Sequence, residues 1–183
     1  MQHLYLIRHA TPDWNNNKIS YYLPPGPDLI PLGEEEAVSL GDFLHRRGIR
    51  LLYSSPMERC QQTAKIAAGN DGIVVKILPE LTEIIPGEAM SAVQSRLSRV
   101  LSELTELPFE PEPLALVSHG GPIGIMLELL GMDESRLTAS RIFDHGNPLP
   151  PAGVWLASKG DQQTVWDFDL VYPLDIVRPG IQN

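Results

Sequence analysis

A single cysteine, Cys60, stands in the whole chain of 183 residues, so no intrachain disulfide can form. A fold without disulfides fits a reducing cytoplasm, which is the expected location. Long apolar runs are also missing. None approaches the ~18 residues that a membrane-spanning helix needs, so no membrane association is expected. No basic segment followed by an apolar one opens the chain. It enters the strand-like Leu4-Tyr5-Leu6-Ile7 at once, and no secretory leader is expected. Basic residues are scarce: 14 Lys and Arg against 23 Asp and Glu give a formal net charge of -9. Such a chain repels nucleic acid, and Arg46-Arg47 is its only basic doublet. The balance does not exclude a small anionic substrate, because salt screens charges beyond roughly 8 Å and the local pocket decides. Repeats and low-complexity blocks are absent, and the Pro-rich stretches are too short to separate domains. One domain is expected over residues 1–183.

What is present alternates between two periods. Residues 3–7 are apolar and strand-like, and residues 13–31, with Asn15-Asn16-Asn17 and Pro24-Pro25-Gly26-Pro27, form a long loop. Residues 33–47 are helical: Ala37, Leu40 and Leu44 share a face, Glu34, Glu35 and Glu36 suit the first turn, and Gly48 ends the helix. A short strand covers 50–54, and Pro56 opens a helix that continues over 57–68. Residues 73–78 are rich in β-branched residues and strand-like. The clearest helix is 89–107, with Val93, Leu97, Val100, Leu101 and Leu104 at helical spacing before Pro108, Pro111 and Pro113. A buried strand at 114–117 precedes a helix at 121–130. Segments 154–157 and 164–168 flank Lys159-Gly160-Asp161 and predict a hairpin, and 172–183 is an extended tail. This order predicts an α/β sheet, mainly parallel, with an antiparallel element near its end.

Chemistry-bearing residues fall at strand ends. Arg8-His9 follows the first strand. A neutral imidazole with one free nitrogen can attack phosphorus, and the arginine fork matches phosphate oxygens. Alone, the pair reads equally as a surface arginine beside a hydrogen-bonded strand-end histidine. Ser54-Ser55-Pro56-Met57-Glu58-Arg59 sets Arg59 one turn into a helix, whose N-terminus favours anions; otherwise it is a solvated arginine pairing with a carboxylate. His119-Gly120-Gly121 follows the strand at 114–117. The glycines let backbone approach a ligand, and a protonated His119 would bind a phosphoryl group; the plain alternative is a core histidine. Glu80, Glu83 and Glu88 supply a candidate acid, and the pattern alone does not choose among them. Cys60 reads as a small buried residue, and Gln62 and Thr63 as structural. The loop 16–31 is expected at the pocket rim, with Tyr21 and Tyr22 packing against it rather than stacking on a ligand.

Taken in order, these motifs resemble the histidine phosphatase superfamily, also called phosphoglycerate mutase-like. Arg8-His9-Ala10-Thr11-Pro12-Asp13-Trp14-Asn15 is similar to R-H-G-x-T-x-x-N, and Leu32 to Ala37 to L-G-x-x-Q-A. Ser54 to Ala64 is similar to S-S-P-x-x-R-x-x-Q-T-A, Leu81 to Ile84 to L-x-E-x, and Ser118 to Gly121 matches S-H-G-G. The resemblance covers roughly residues 1–130. It implies a three-layer α/β/α sandwich around a mostly parallel sheet with an antiparallel edge strand. It implies His9 as the phosphorylated nucleophile, Glu83 as proton donor, and Arg8, Arg59 and His119 as phosphate binders. Asn15 and Gly120 join the substrate-binding set, with no metal and no cofactor. The substrate would be a small phosphorylated metabolite or a phosphoprotein.

The chain departs from the pattern near the chemistry. Ala10 replaces a glycine and Pro12 a threonine, the arginine expected after the asparagine is missing, and the region after Glu83 is shortened to Pro86-Gly87-Glu88. A trimmed cover favours hydrolysis of phosphomonoesters over mutase chemistry, which must shield an intermediate from water. Mutase-type phosphoryl transfer and a non-catalytic phosphate-binding module stand as the alternatives.

Overall fold

The computed structural model describes residues 1–69, 72–105 and 113–173. The sheet grows from apolar segments paired in the order β3-β2-β4-β1-β5-β6, where β1 is Gln2–Arg8, β2 Leu51–Ser54, β3 Val74–Ile77, β4 Leu114–Ser118, β5 Val154–Lys159 and β6 Asp167–Tyr172. The first four pair in parallel, and β5 runs antiparallel to β1 on one side and to the edge strand β6 on the other. Central strands are apolar on both faces, as a sheet covered twice requires. In β1, Leu4 and Leu6 enter one core while Tyr5 and Ile7 enter the other.

Helices α1 (Pro31–Arg46) and α2 (Glu58–Ala68) cover one face. Their buried stripe of Ala37, Leu40, Leu44, Ala64 and Ala67 packs on Ile7, Leu52 and Val117. Helices α3 (Met90–Thr105), α4 (Gly120–Leu129) and α5 (Glu134–Ser140) cover the other, with Val93, Leu97, Ile123, Met126 and Leu137 against Leu6 and Leu116. The result is the expected three-layer α/β/α sandwich. Burying each leucine of these stripes stabilises the fold by about 2 kcal/mol, and truncating Leu97 to alanine would cost roughly 3 kcal/mol.

Three local readings change. Pro56 does not open α2: Met57 is its N-cap and Pro56 accepts the Gln61 side-chain amide at 2.8 Å. The second hairpin strand lies three residues later than its pattern suggests. Val165 is 67% exposed, and it is Leu170 and Tyr172 that reach the register of Trp155 and Val154. Helix α5 was not expected. Seven residues are too few to show a period, and its signal is the cap Asp133, which accepts from the Ser135 and Arg136 amides. Pro108, Pro111 and the tail beyond Pro173 lie outside the described residues.

Parallel pairing sets the ends of β1, β2 and β4 side by side. Arg8 stands opposite Ser118 and Ser54 opposite Val117, so the next residues of each strand, His9, Ser55 and His119, emerge at one carboxyl edge. Open α/β sheets bind ligands in that crevice.

Candidate active site

The two histidines are held face to edge, with ring centroids 5.3 Å apart and both rings buried. Ala10 carbonyl can only accept, so His9 Nδ1 must carry the proton that it donates there at 2.8 Å. That leaves Nε2 as an unprotonated lone pair, and the Tyr21 hydroxyl donates toward it at 3.4 Å. Burial, with Arg59 and Arg8 beside it, holds the His9 imidazole well below its ordinary range, so the ring is neutral.

His119 takes the opposite tautomer. Arg59 Nη2 donates to its Nδ1 at 3.1 Å, so the proton sits on Nε2, which donates to Ser55 Oγ at 2.9 Å. Burial, Arg59 and His9 hold this imidazole well below its usual range too. Two guanidiniums and burial disfavour a third cation until an anion arrives.

Arg59 is fully buried as the second residue of α2. Its Nη1 donates to Tyr21 carbonyl at 3.0 Å, and its guanidinium lies 4.1 Å from the Tyr21 ring centre. Arg8, 1% exposed, gives its fork to Asp144, Nη1 to Oδ1 at 2.7 Å and Nη2 to Oδ2 at 2.6 Å, with Leu149 carbonyl accepting at 3.1 Å. Burial works to raise the Asp144 carboxyl, but Arg8's hydrogen bonds and charge hold it below its usual value. Both arginines keep a buried Nε–H with no acceptor among the described residues. A buried donor without an acceptor is costly.

Of the three acids, Glu83 reaches the cluster. Its Oε2 lies 3.5 Å from both Arg59 Nη2 and His119 Nδ1, and Oε1 accepts from the Ile84 amide at 3.0 Å. Burial raises its carboxyl above the usual range, against the pull of the Ile84 amide, Arg59 and Arg8. Of the others, Glu88 has its carboxylate bonded by Arg96 of α3, which also donates to the backbone carbonyl of Glu80. Arg96 thereby pins the shortened segment, and Ser118 Oγ, donating to Leu81 carbonyl at 2.8 Å, ties it to β4.

The departures have local reasons. Ala10 is fully buried, its methyl sits in the core of the α1/α2 face, and Thr63 Oγ1 accepts its amide at 3.0 Å. Pro12 is buried and bridges to Leu29. Asn15 is set apart from the cluster. It is exposed, outside the cavity lining, because Asp13 draws its amide into an Asx turn at 3.1 Å and Trp14 takes the inward position. Gly120 is explained by a neighbour: a Cβ there would lie 1.6 Å from Asn147 Oδ1. Asn147 packs on the start of α4 and donates to Asp144 carbonyl at 2.8 Å, so Gly120 indirectly seats the Arg8 clamp. Cys60 is buried, and burial pushes its thiol up to about 12, which excludes a thiolate nucleophile at neutral pH.

A cavity of about 620 Å³ opens beside Arg8, Tyr21 and Glu83. Trp14, Tyr21 and Tyr22 form one wall and Ile84 and Ile85 another, with His145 and Asn147 completing it. Both tyrosines line the cavity rather than only packing on their own loop. Asp144, His145 and Asn147 were not anticipated; a polar Asp-His-Gly-Asn turn is a common loop, and nothing in it announces a partner 136 residues away.

Residues 4–88 match the model of the histidine phosphatase superfamily (branch 1). The match includes Arg8, His9, Arg59 and Glu83, whereas His119 lies beyond it. Among curated proteins, the chain is 29% identical over 203 aligned positions to the probable phosphoglycerate mutase GpmB of Yersinia enterocolitica, covering 88% of this chain and 94% of that one. Among solved structures, it is similar to a mycobacterial glucosyl-3-phosphoglycerate phosphatase in complex with VO3, with 22% identity, TM-score 0.74 and coverage of 93% and 98%. It is also similar to the alpha-ribazole phosphatase of Shigella flexneri, with 21% identity, TM-score 0.74 and coverage of 92% and 95%. At such identities the solved structures share the fold.

Proposed function

We propose that this chain, whose residues 4–88 match the model of the histidine phosphatase superfamily, hydrolyses phosphomonoesters through a phosphohistidine on His9, without a metal. One observation carries the reading. A neutral His9, its Nδ1 proton locked on Ala10, keeps Nε2 as an unprotonated lone pair near two buried guanidiniums that each hold an unspent donor. The Nε2 lone pair attacks phosphorus and the ester P–O bond breaks onto the leaving oxygen. Glu83, whose carboxyl burial raises above its usual range, gives that oxygen its proton. A water then attacks the phosphohistidine, its proton passes to the Glu83 carboxylate, and the P–N bond breaks back onto Nε2. Arg8, Arg59 and His119 hold the equatorial oxygens, and their preorganised charge stabilises the transition state. The Tyr21 hydroxyl, which burial keeps protonated, gives up its place at Nε2 and donates to a phosphoryl oxygen.

The test is turnover of a panel of phosphate esters in chelator. Wild type should hydrolyse some of them and form an acid-labile, alkali-stable phosphoryl label, while His9→Ala should lose at least ~10³ of the rate and all of the label. Equal activity of the two proteins would sink the mechanism. The GpmB relative favours mutase-type transfer as a second reading, and a coupled assay of phosphoglycerate interconversion decides between them.

A further inference from the structure

From the walls of the cavity we infer the class of substrate: a single phosphate monoester whose alcohol carries a flat apolar group and no second negative charge. The inference rests on the phosphohydrolase reading for the position of the phosphate, and on separate observations for the rest.

The first observation is charge. Among the described residues lining the cavity, Arg8 is the sole lysine or arginine, and Asp144 already occupies its fork. Glu83 and Glu88 line the same space, and Arg96, which pairs with Glu88, is not part of the lining. A carboxylate or second phosphate on the leaving group would meet the Glu88 carboxylate and find no free guanidinium or ammonium in the lining to answer it. An uncompensated anion in a half-enclosed site is strongly disfavoured.

The second observation is apolar surface. Large apolar side chains that stay in water are few at any one place, yet Trp14 at 39%, Tyr22 at 45% and Ile85 at 38% exposure all face this cavity. Trp14 is held rigidly, stacked on Tyr21 at 5.3 Å and 20°, and Tyr21 is itself backed by Arg59. The stack therefore joins the phosphate cluster to the cavity wall, and a ring attached to a bound phosphate would lie between Trp14 or Tyr22 and Ile85. Exposed aromatic and aliphatic groups lining a concave site beside fixed polar groups mark a ligand subsite.

Two measurements on the full chain test this. Binding of 1-naphthylmethylphosphonate, a non-hydrolysable probe, is compared with that of 3-phosphoglycerate by calorimetry, and kcat/KM is compared for 1-naphthyl phosphate and 3-phosphoglycerate. The aryl compound should be favoured by about 50-fold in both, the ratio expected from burying one ring face. Trp14→Ala should cut that ratio roughly tenfold, and Ile85→Arg should reverse part of it by improving 3-phosphoglycerate. Equal or tighter binding of 3-phosphoglycerate by wild type overturns the inference, whatever turnover is seen. The aryl preference in binding with no turnover of any ester supports the inference and overturns the hydrolase reading instead.

Discussion

Asp144→Asn should make the empty protein less stable and yet bind phosphate more tightly. Asp144 gives two charge-assisted hydrogen bonds to a guanidinium that is 1% exposed. Stripping a fully buried charge of its partner costs roughly 3–5 kcal/mol. Here the Asp144 side chain is 35% exposed, and asparagine keeps one acceptor, so the cost falls to about 2 kcal/mol. For a chain of this size that lowers Tm by roughly 4–8 °C. Phosphate changes the sign. In the wild type an incoming anion finds the Arg8 fork already taken, and Asp144 repels it. In the variant one arm of the fork is free and one negative charge is gone. A net gain equal to one charge-assisted hydrogen bond is about 1.4 kcal/mol, or tenfold in Kd for inorganic phosphate. Thermal melts with and without phosphate, and calorimetric titration, read both effects. Phosphate that binds the variant no more tightly than the wild type would refute the competition, and an unchanged Tm without phosphate would refute the clamp.

The pH profile carries a second expectation. Turnover needs His9 neutral and Glu83 protonated. His9 titrates well below 6.5, so lowering the pH through 6.5 should cause no loss; Glu83 titrates above 4.5, so activity on alkyl phosphates should fall as pH rises through that raised value. Glu83→Gln should abolish that alkaline fall and lower alkyl phosphate turnover by about 10²–10⁴, with a smaller effect on the departure of 4-nitrophenol, which leaves without a proton; steady-state profiles against pH would show it. Gly120→Ala should displace Asn147 and loosen the Asp144 clamp, costing about 2 kcal/mol in denaturant melts and weakening the hold on Arg8.

The α/β alternation was legible because the strands are apolar runs and the inner faces of α1 and α3 are written in local periods, whereas the three-layer arrangement came from the resemblance. Leu40 and Leu44, or Val93 and Leu97, announce their burial by spacing alone. Helix α5 was not legible, since seven residues carry too short a pattern and only Asp133 marks the start. Among the site residues, the motifs around His9, Arg59 and His119 could be read because each sits beside a strand end or a helix start. Among the three acids only the resemblance singled out Glu83; folding supplied a reason, through Arg96 holding Glu88 and burial beside Arg59.

By itself the sequence determined most of the secondary elements, the mainly parallel character of the sheet through its strand-helix alternation, and the identity of the strand-end groups, because these can be read from local periods and their succession. Tertiary structure decided the tautomers of His9 and His119, the occupation of Arg8 by Asp144 across 136 positions, the outward turn of Asn15 and the apolar wall of Trp14, Tyr22 and Ile85. Each of these follows from burial and from hydrogen bonds between segments distant in the chain, and no local pattern encodes which carbonyl or carboxylate will stand opposite a given donor.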